Sequence, residues 1–267
     1  MHSRHKSKKQ VIFLAKVIAV ANQKGGVGKT TSAVNIAAAL GFNKKKTLLI
    51  DVDPQGNATS GVGIDKRSCK FTTYDLLVSD TKAQDIIVAT AFDNLFVMPS
   101  GIDLAAAELE ILDFENRAYR MKQAIVSIKQ DFDYIVIDCP PSLGLITTNA
   151  LTASDTILVP IQCEYYALEG LSQLMNTVRR VKRQYNPHID IEGVLLTMYD
   201  GRLNLTQQVV AEVKRFFPKK VFSTVIPRTV RLSEAPSFGM PVIYFDKSSK
   251  GTHAYLDLVK EIIKKER

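Results

Sequence analysis

A glycine-rich stretch near the start of the chain carries the residues best suited to chemistry. Residues 22–31 read Asn-Gln-Lys-Gly-Gly-Val-Gly-Lys-Thr-Thr, after an apolar run that predicts a buried strand and before a helical pattern. Glycines let backbone N–H groups converge on phosphate oxygens, and the N-terminus of a following helix adds a partial positive charge. In such a loop the last lysine lies along the β- and γ-phosphate oxygens, and the next hydroxyl binds Mg²⁺. The sequence therefore predicts a nucleoside-triphosphate site in which Lys29 and Thr30 have these roles.

The loop departs from the usual phosphate-binding pattern. The pattern GxxxxGK[ST] nearly fits Gln23–Thr30, but Gln23 stands where a glycine is usual. A second lysine, Lys24, precedes the glycine pair, five residues before Lys29. A solvated surface lysine is the ordinary alternative for Lys24, but its place between a strand and a helix favours a phosphate contact. The residues expected to contact the phosphates are Lys24, Gly25, Gly26, Val27, Gly28, Lys29, Thr30 and Thr31.

Carboxylates lie at the ends of two predicted strands. Asp51 and Asp53 lie at the end of one apolar run, and Asp138 at the end of another. The carboxyl ends of parallel strands meet at one edge of a sheet, where open α/β sheets bind their ligands. An aspartate after a buried strand is typical of the acid that holds Mg²⁺ in phosphate-loop enzymes, so we assign Thr30 and Asp138 to the metal. For Asp51, the alternative to a direct role in the chemistry is a supporting position near the metal.

Apolar runs and helical patterns alternate along the chain, which predicts an α/β fold. The runs are continuous and mostly rich in β-branched residues, as strands buried on both faces of a sheet require. We therefore expect a doubly wound, mostly parallel sheet with helices on both faces, of the phosphate-loop (P-loop) NTPase type. The predicted strands are Lys16–Ala21, Thr47–Val52, Asn94–Pro99, Tyr134–Cys139, Thr156–Ile161, Ile191–Thr197 and Val221–Ile226. The predicted helices are Thr30–Phe42, Asn116–Asp131, Leu168–Gln184, Asn204–Phe217 and Thr252–Arg267.

Charge and organisation suggest one basic domain with an anionic partner. The formal net charge is +8, from 35 Lys and Arg residues against 27 Asp and Glu residues. No internal repeat, linker or low-complexity segment divides the chain, so we expect a basic N-terminal tail at 1–15 and a single domain at 16–267. A modestly basic body suits either nucleic acid or an acidic membrane surface, and charge alone does not choose between them.

The sequence favours a cytoplasmic protein that does not cross a membrane. It has no run of 18 or more apolar residues. Cys69, Cys139 and Cys163 are far apart, which indicates neither a disulfide framework nor a metal site. The last predicted helix is either a membrane anchor or a helix docked on its own sheet, and the second reading is favoured. One face of that helix carries Tyr255, Leu256, Val259, Ile262 and Ile263.

The segment Lys-Gly-Gly-Val-Gly-Lys-Thr at residues 24–30 resembles the deviant Walker A motif. The family with this motif contains the ParA/Soj partition ATPases, the MinD division regulators and the nitrogenase iron protein. The resemblance implies that Lys24 crosses a dimer interface to the phosphates of the partner subunit, so that ATP hydrolysis requires a dimer. It also implies that Asp53 orients the attacking water. The catalytic set is then Lys24, Lys29 and Asp53, with ATP and Mg²⁺ as cofactors.

Further segments resemble the chromosomal ParA/Soj proteins in particular. They are DPQGNATSG at Asp53–Gly61, DCPPSLGLITTNAL at Asp138–Leu151, PIQCEYYALEGL at Pro160–Leu171 and IPRTVRLSEAPSFGMPV at Ile226–Val242. Pro227, in the last of these, is assigned to the nucleotide site. The spacing of Cys139 and Cys163 does not match the cluster ligands of the nitrogenase iron protein, so an iron–sulfur role is rejected.

The resemblance to ParA/Soj implies a function in chromosome partitioning. An ATP-bound homodimer would bind double-stranded DNA without sequence preference and would be associated with the nucleoid. A ParB/Spo0J-type partner with a short basic segment would stimulate a slow ATP hydrolysis. A MinD-like ATPase at the membrane surface, which positions the division machinery, is the alternative. A metabolic P-loop enzyme is a third possibility, for which the sequence offers no acceptor pocket.

Basic residues in the second half of the chain are candidates for DNA contact. Lysine and arginine side chains give DNA affinity that is independent of sequence and sensitive to salt. Arg202 and Arg231 lie in segments that resemble the family segments on the DNA-facing side of those proteins, so they are the first candidates. For any single one of the basic residues, a solvated helix face is the ordinary alternative. The remaining candidates are Lys214, Lys219, Lys247 and Lys250.

Overall fold

The fold is built on one twisted sheet whose strands are almost all parallel. The structure is a computed structural model that describes residues 14–164 and 167–265. Within these ranges the sheet has seven strands in the order β3-β4-β2-β5-β1-β6-β7, and only β3 runs antiparallel to its neighbour. The strands are β1 (Lys16–Val20), β2 (Thr47–Asp51), β3 (Val88–Ala89), β4 (Leu95–Met98), β5 (Tyr134–Asp138), β6 (Thr156–Gln162) and β7 (Asp190–Thr197).

Helices cover both faces of this sheet and make two apolar cores. One core joins one side of the strands to α1, α2, α11 and α12, and the other joins the opposite side to α3 through α9. The helices are α1 (Lys29–Phe42), α2 (Asn57–Gly61), α3 (Thr73–Val78), α4 (Ala83–Ile86), α5 (Leu104–Glu110), α6 (Arg120–Val126), α7 (Leu145–Ala153), α8 (Ala167–Gln184), α9 (Asn204–Phe216), α10 (Val230–Glu234), α11 (Val242–Phe245) and α12 (Lys250–Lys264). The predicted fold class, a doubly wound and mostly parallel α/β sheet, is confirmed.

The predicted strands before residue 200 begin and end within one residue of β1, β2, β4, β5, β6 and β7. They are buried along nearly their whole length, as continuous apolar runs predict. The prediction missed β3, which is a two-residue edge strand and too short to show a pattern.

The predicted strand Val221–Ile226 is wrong. Among the described residues, the segment follows the edge of β7 in isolated bridges, Val194 with Val221 and, just beyond the ends of both, Tyr199 with Pro227. Single backbone hydrogen bonds also join Phe222 N to the Val194 carbonyl at 3.0 Å and Ile226 N to the Leu196 carbonyl at 2.8 Å. Between these bridges, two backbone amides hydrogen-bond to a side chain of α12 and not to β7. Ser223 N donates to Glu261 Oε1 at 3.0 Å, and Thr224 N donates to Glu261 Oε2 at 3.2 Å. These amides are therefore lost to the ladder with β7.

Two other boundaries differ from the prediction. The predicted helix Asn116–Asp131 is shorter, because residues before Arg120 form turns and Lys129–Asp131 is a separate 3₁₀ turn. The predicted tail at 1–15 lies outside the described residues except for its last two. Of these, Ala15 already belongs to the fold, since it is buried and its N–H donates to the Lys129 carbonyl at 2.8 Å.

The C-terminal helix α12 packs on the core. Tyr255, Val259 and Ile262 are each at most 2% exposed, and the Tyr255 hydroxyl lies 3.2 Å from Ser32 Oγ on α1. This is the docked arrangement that the sequence favoured, and its apolar face is therefore already covered. Among the described residues, no helix has the length and apolar character needed to cross a bilayer.

Candidate active site

Strand register brings the predicted acids to one edge of the sheet. Strand β5 lies between β1 and β2, and Asp138 is paired with Val20 on one side and Asp51 on the other. All three strands are parallel, so their carboxyl ends and the loops that follow share this edge. The glycine-rich loop that leaves β1 therefore passes directly beside Asp138.

The loop from β1 to α1 is shaped to leave backbone amides open. Gly26 and Gly28 have φ values of 72° and 82°, which L side chains rarely adopt. Gly28 is the N-cap of α1 and provides no side-chain cap, so the first amides of a 14-residue helix face the loop. Such an uncapped N-terminus attracts anions through its N–H groups and its partial positive charge. Thr30 and Thr31 lie in the first turn.

Lys29 lies folded into this loop. Its residue is 7% exposed, and its Nζ donates to the Lys24 carbonyl at 3.0 Å. Burial lowers the pKa of Lys29, and the nearby Asp138 carboxylate partly opposes that shift. Within the part of the chain that the structure describes, the ammonium group thus lacks a full set of partners, and an anion at this place would supply them.

Asp138 is a buried carboxylate without a hydrogen-bond partner. Both of its oxygens are buried, and neither has a hydrogen-bond partner among the described residues. Its pKa is raised well above the usual range, first by burial and next by the Asp51 carboxylate. The Thr30 hydroxyl and the Lys29 ammonium oppose the shift, but neither completes a hydrogen bond to Asp138. An unpaired buried carboxylate is costly, so this site calls for a cation.

These donors fit Mg²⁺. A hydroxyl and one carboxylate are hard oxygen ligands, and Mg²⁺ is usually held by one or two protein groups together with waters and substrate phosphates. The described residues contain no cluster of three or more His, Cys, Asp or Glu side chains arranged for a metal. The site therefore suits an ion that arrives with a phosphate ligand better than a fully protein-bound metal.

The two aspartates after β2 differ in their surroundings. Asp51 is fully buried, and Oδ2 accepts from Thr59 N at 2.8 Å and Thr59 Oγ1 at 2.7 Å. Its pKa is raised to about 6, chiefly by burial, although these hydrogen bonds lower it. Asp53 is only half-buried, and its carboxylate accepts from Gln55 N at 2.9 Å. Asp51 is thus held by hydrogen bonds from the segment after β2, whereas Asp53 remains partly exposed.

Lys24 points away from its own loop. Its Nζ donates to Glu164 Oε2 at 2.9 Å, across 140 residues of chain, and both side chains are partly exposed. The backbone is held separately: Lys24 N donates to Asn22 Oδ1 at 3.1 Å, and Asn22 Nδ2 donates to the Pro160 carbonyl at 2.7 Å. The side chain can therefore leave Glu164 without disturbing the loop that carries it.

A cleft of about 430 Å³ opens beside the glycine-rich loop. Gly28 and Thr31 form one wall and Pro227 and Thr229 another, with Tyr255 also in the lining. The predicted Pro227 thus lies beside the phosphate-binding loop despite about 200 residues of separation along the chain. The size and position of the cleft suit the base and sugar of a nucleotide.

The predicted DNA-binding residues are all exposed but lie on several elements. Arg202 and Arg231 lie on adjacent segments, because Tyr199 is bridged to Pro227. Lys247 follows Asp246, which contacts Arg231. The other candidates lie elsewhere: Lys250 begins α12, Lys214 is in the last turns of α9, and Lys219 follows that helix.

Two residues of the site were missed by sequence reasoning. Glu164 follows β6 at the same edge of the sheet, so its position after a strand was the available signal. Thr197 ends β7, and its Oγ1 donates to the Val27 carbonyl at 2.8 Å. A buried threonine at the end of a strand gives no distinctive signal in sequence.

Known proteins resemble this chain over most of its length. A family model described as an AAA domain matches residues 15–191. The sporulation initiation inhibitor protein Soj of Bacillus subtilis is 58% identical over 93% of this chain and 98% of the relative. The chromosome partitioning protein ParA of Myxococcus xanthus is 50% identical over 95% of this chain and 89% of the relative.

Solved structures share the fold. Cobyrinic acid a,c-diamide synthase from Mycobacterium smegmatis, with bound ATP analog and magnesium, has a TM-score of 0.83 and 36% identity, and covers 94% of this chain and 95% of its own. The Pyrococcus furiosus cell division ATPase MinD has a TM-score of 0.78 and 27% identity, and covers 95% of this chain and 100% of its own.

Proposed function

Because the chain belongs to the Soj/ParA family of chromosome-partitioning proteins, we propose that it is an ATPase that dimerises around ATP and Mg²⁺ and then binds DNA. The observation that carries the proposal is the unpaired, buried carboxylate of Asp138 beside an uncapped helix N-terminus. A negative group and a positive helix end at one spot fit a ligand that carries both a cation and an anion. Magnesium triphosphate is such a ligand.

The phosphate-binding residues act by position and charge. The amides from Gly25 to Thr31 surround the phosphate oxygens, and Lys29 exchanges its contact with the Lys24 carbonyl for the β- and γ-phosphates. Thr30 and Asp138 hold Mg²⁺, which supplies charge neutralisation at the phosphates when it is bound. Asp53, which is partly exposed, orients the attacking water through its carboxylate. The base occupies the cleft against Pro227.

Lys24 completes the site of a second subunit. Its own loop binds phosphate through Lys29, whereas the Lys24 side chain faces outwards to Glu164. An exposed ion pair of this kind is weak, so a partner's phosphate is a competitive acceptor. Lys24 then neutralises charge on the partner's triphosphate in the manner of an arginine finger. ATP hydrolysis follows only in the dimer and is slow until a ParB-type partner with a basic segment stimulates it.

The basic surface binds duplex DNA in the dimer. Two subunits present two copies of the candidates that include Arg202 and Arg231, which turns weak phosphate contacts into useful avidity. The cleft also connects the two functions, because α10 carries Arg231 and contributes Leu232 and Ser233 to the cleft lining. A nucleotide there contacts the element that presents an arginine to DNA. The protein would accordingly associate with the nucleoid.

The other functional classes have less support. A MinD-like membrane ATPase needs an apolar or amphipathic face for lipid, and the apolar face of α12 is buried in the core. The synthase from Mycobacterium smegmatis is 36% identical, whereas the Soj relative is 58% identical over 98% of its length. Partitioning is therefore favoured over a metabolic reaction.

DNA binding in different nucleotide states tests the proposal. Anisotropy of a labelled duplex of arbitrary sequence would be followed with ATP–Mg²⁺, with ADP–Mg²⁺ and without nucleotide, across a salt series. We expect binding only with ATP, weakening steeply with salt. Arg202→Glu and Arg231→Glu should lose DNA and keep nucleotide, and Lys260→Glu on the exposed side of α12 is the charge-matched control. Equal binding in all three nucleotide states would refute the switch.

A further inference from the structure

The six candidates for DNA contact fall into two groups by their partners. Arg202 and Arg231 are paired with carboxylates. In the described part of the chain the four lysines, Lys214, Lys219, Lys247 and Lys250, make no ion pair. The two first candidates are thus the two that already hold an anion.

The partner of Arg202 is held in the geometry of a phosphate contact. Arg202 Nε donates to Asp200 Oδ1 at 2.9 Å, and Nη2 donates to Oδ2 at 2.6 Å. This two-pronged arrangement is the one in which a guanidinium binds carboxylate or phosphate. The Arg202 side chain is 88% exposed, so DNA could reach it without a change of fold. Asp200 is ionised at neutral pH, since its hydrogen bonds with Arg202 lower its pKa to about 2.

Arg231 is engaged by two carboxylates from different directions. Nη1 donates to Glu234 at 2.9 Å, one turn along α10, and Nε lies 3.2 Å from Asp246. The guanidinium also lies over the Phe245 ring, 5.9 Å from its centroid. Asp246 is fixed in turn, because its Oδ1 accepts from Ser248 N and Oγ. Arg231 is therefore oriented by anions on its own surface.

We propose that Asp200, Glu234 and Asp246 are internal competitors of nucleic-acid phosphate, which hold Arg202 and Arg231 until a phosphate displaces them. This inference rests on the proposed DNA binding and concerns its regulation. An arginine that binds a DNA phosphate through the same edge of its guanidinium must give up its carboxylate, which weakens the contact made by a single subunit. A dimer offers twice the contacts, so its combined affinity for DNA is high enough to displace the carboxylates. The carboxylates thereby increase the dependence of DNA binding on the ATP-bound dimer.

The position of these ion pairs suits such control. Tyr199, next to Asp200, is bridged to Pro227, which lines the cleft, and α10 forms another part of its lining. Thr197 at the end of β7 is also bonded to the glycine-rich loop. Both ion-paired segments thus begin within a few residues of the nucleotide site.

Asparagine and glutamine variants test the competition directly. Asp200→Asn would be compared with Glu212→Gln, which removes an exposed carboxylate paired with Arg215 at 3.8 Å on α9. The assay is duplex-DNA affinity with a non-hydrolysable ATP analogue and Mg²⁺ at fixed salt. Asp200→Asn should tighten binding about two- to fivefold, which corresponds to the strength of exposed ion pairs. The double variant Glu234→Gln/Asp246→Asn should do the same, and Glu212→Gln should change little.

A double-mutant cycle separates competition from a general gain in positive charge. Asp200→Asn is added to Arg202→Ala, and competition requires that the gain disappears when the arginine is absent. A gain that persists without Arg202, an equal gain in Glu212→Gln, or no gain at all would each overturn the inference. If the wild-type chain binds DNA with ATP but the cycle shows no coupling, the inference alone fails. If neither the wild-type chain nor the variants bind DNA, the proposed function fails with it.

Discussion

The buried face of α12 leads to a sharp prediction about stability. Ile262 is fully buried in the core that α12 shares with α1. Ile262→Ala removes three carbon atoms, worth about 0.8 kcal/mol each on transfer from water. The cavity left behind adds to this, so the expected loss is about 3 kcal/mol of unfolding free energy. For a chain of this size that corresponds to roughly 6–12 °C in Tm.

Thermal unfolding followed by circular dichroism, together with liposome flotation, checks this prediction. Lys260→Ala is the control, because its side chain is 67% exposed and its pair with Asp257 is worth less than about 1 kcal/mol. If α12 is a core helix, Ile262→Ala lowers Tm, and wild-type protein does not float with anionic liposomes when the salt is high enough to screen its basic surface. The reasoning would be refuted if Ile262→Ala had the same Tm as the control while wild-type protein bound liposomes and the variant did not. That result would favour a membrane anchor.

The remaining predictions concern the phosphate site. Lys24→Ala should abolish ATP turnover and leave affinity for a non-hydrolysable analogue within about twofold, because Lys24 contacts Glu164 and not its own loop's ligand. Turnover assays and calorimetry check this prediction, and a loss of affinity for the analogue would contradict it. Asp138→Asn should raise the Tm of the nucleotide-free protein, because it removes an unpaired buried charge. It should also abolish the extra rise in Tm that Mg²⁺ gives to the ATP-bound protein, and thermal-shift measurements check both. The pKa of Asp51 is raised to about 6, so the folded state binds more protons than the unfolded state. The stability that Asp51 contributes without nucleotide should therefore fall as pH rises from about 4 to about 6. Urea titrations of the wild type and Asp51→Asn measure this contribution as the difference between the two proteins, and a difference that grows with pH would contradict the burial argument.

The sequence by itself determined the elements and the order in which the chemical groups occur. Continuous apolar runs can be buried only as central strands, and this local property located most strands to within a residue. The glycine-rich loop and the acids after β2 and β5 follow from the same pattern, because parallel strands bring their carboxyl ends to one edge. Asp138 could thus be placed beside the loop without coordinates.

Only the tertiary structure decided which partners these groups have. The pair of Lys24 with Glu164 joins residues 140 positions apart, and no local pattern encodes such a contact. Glu261 on the last helix draws the amides of Ser223 and Thr224 from β7, which is why a strand-like segment does not form a strand. The same holds for Arg231 and Asp246, whose ion pair depends on how α10 and the chain after α11 come together. Short-range patterns specify burial, whereas charge pairing and hydrogen bonding are chosen by whatever the completed fold brings within about 3 Å.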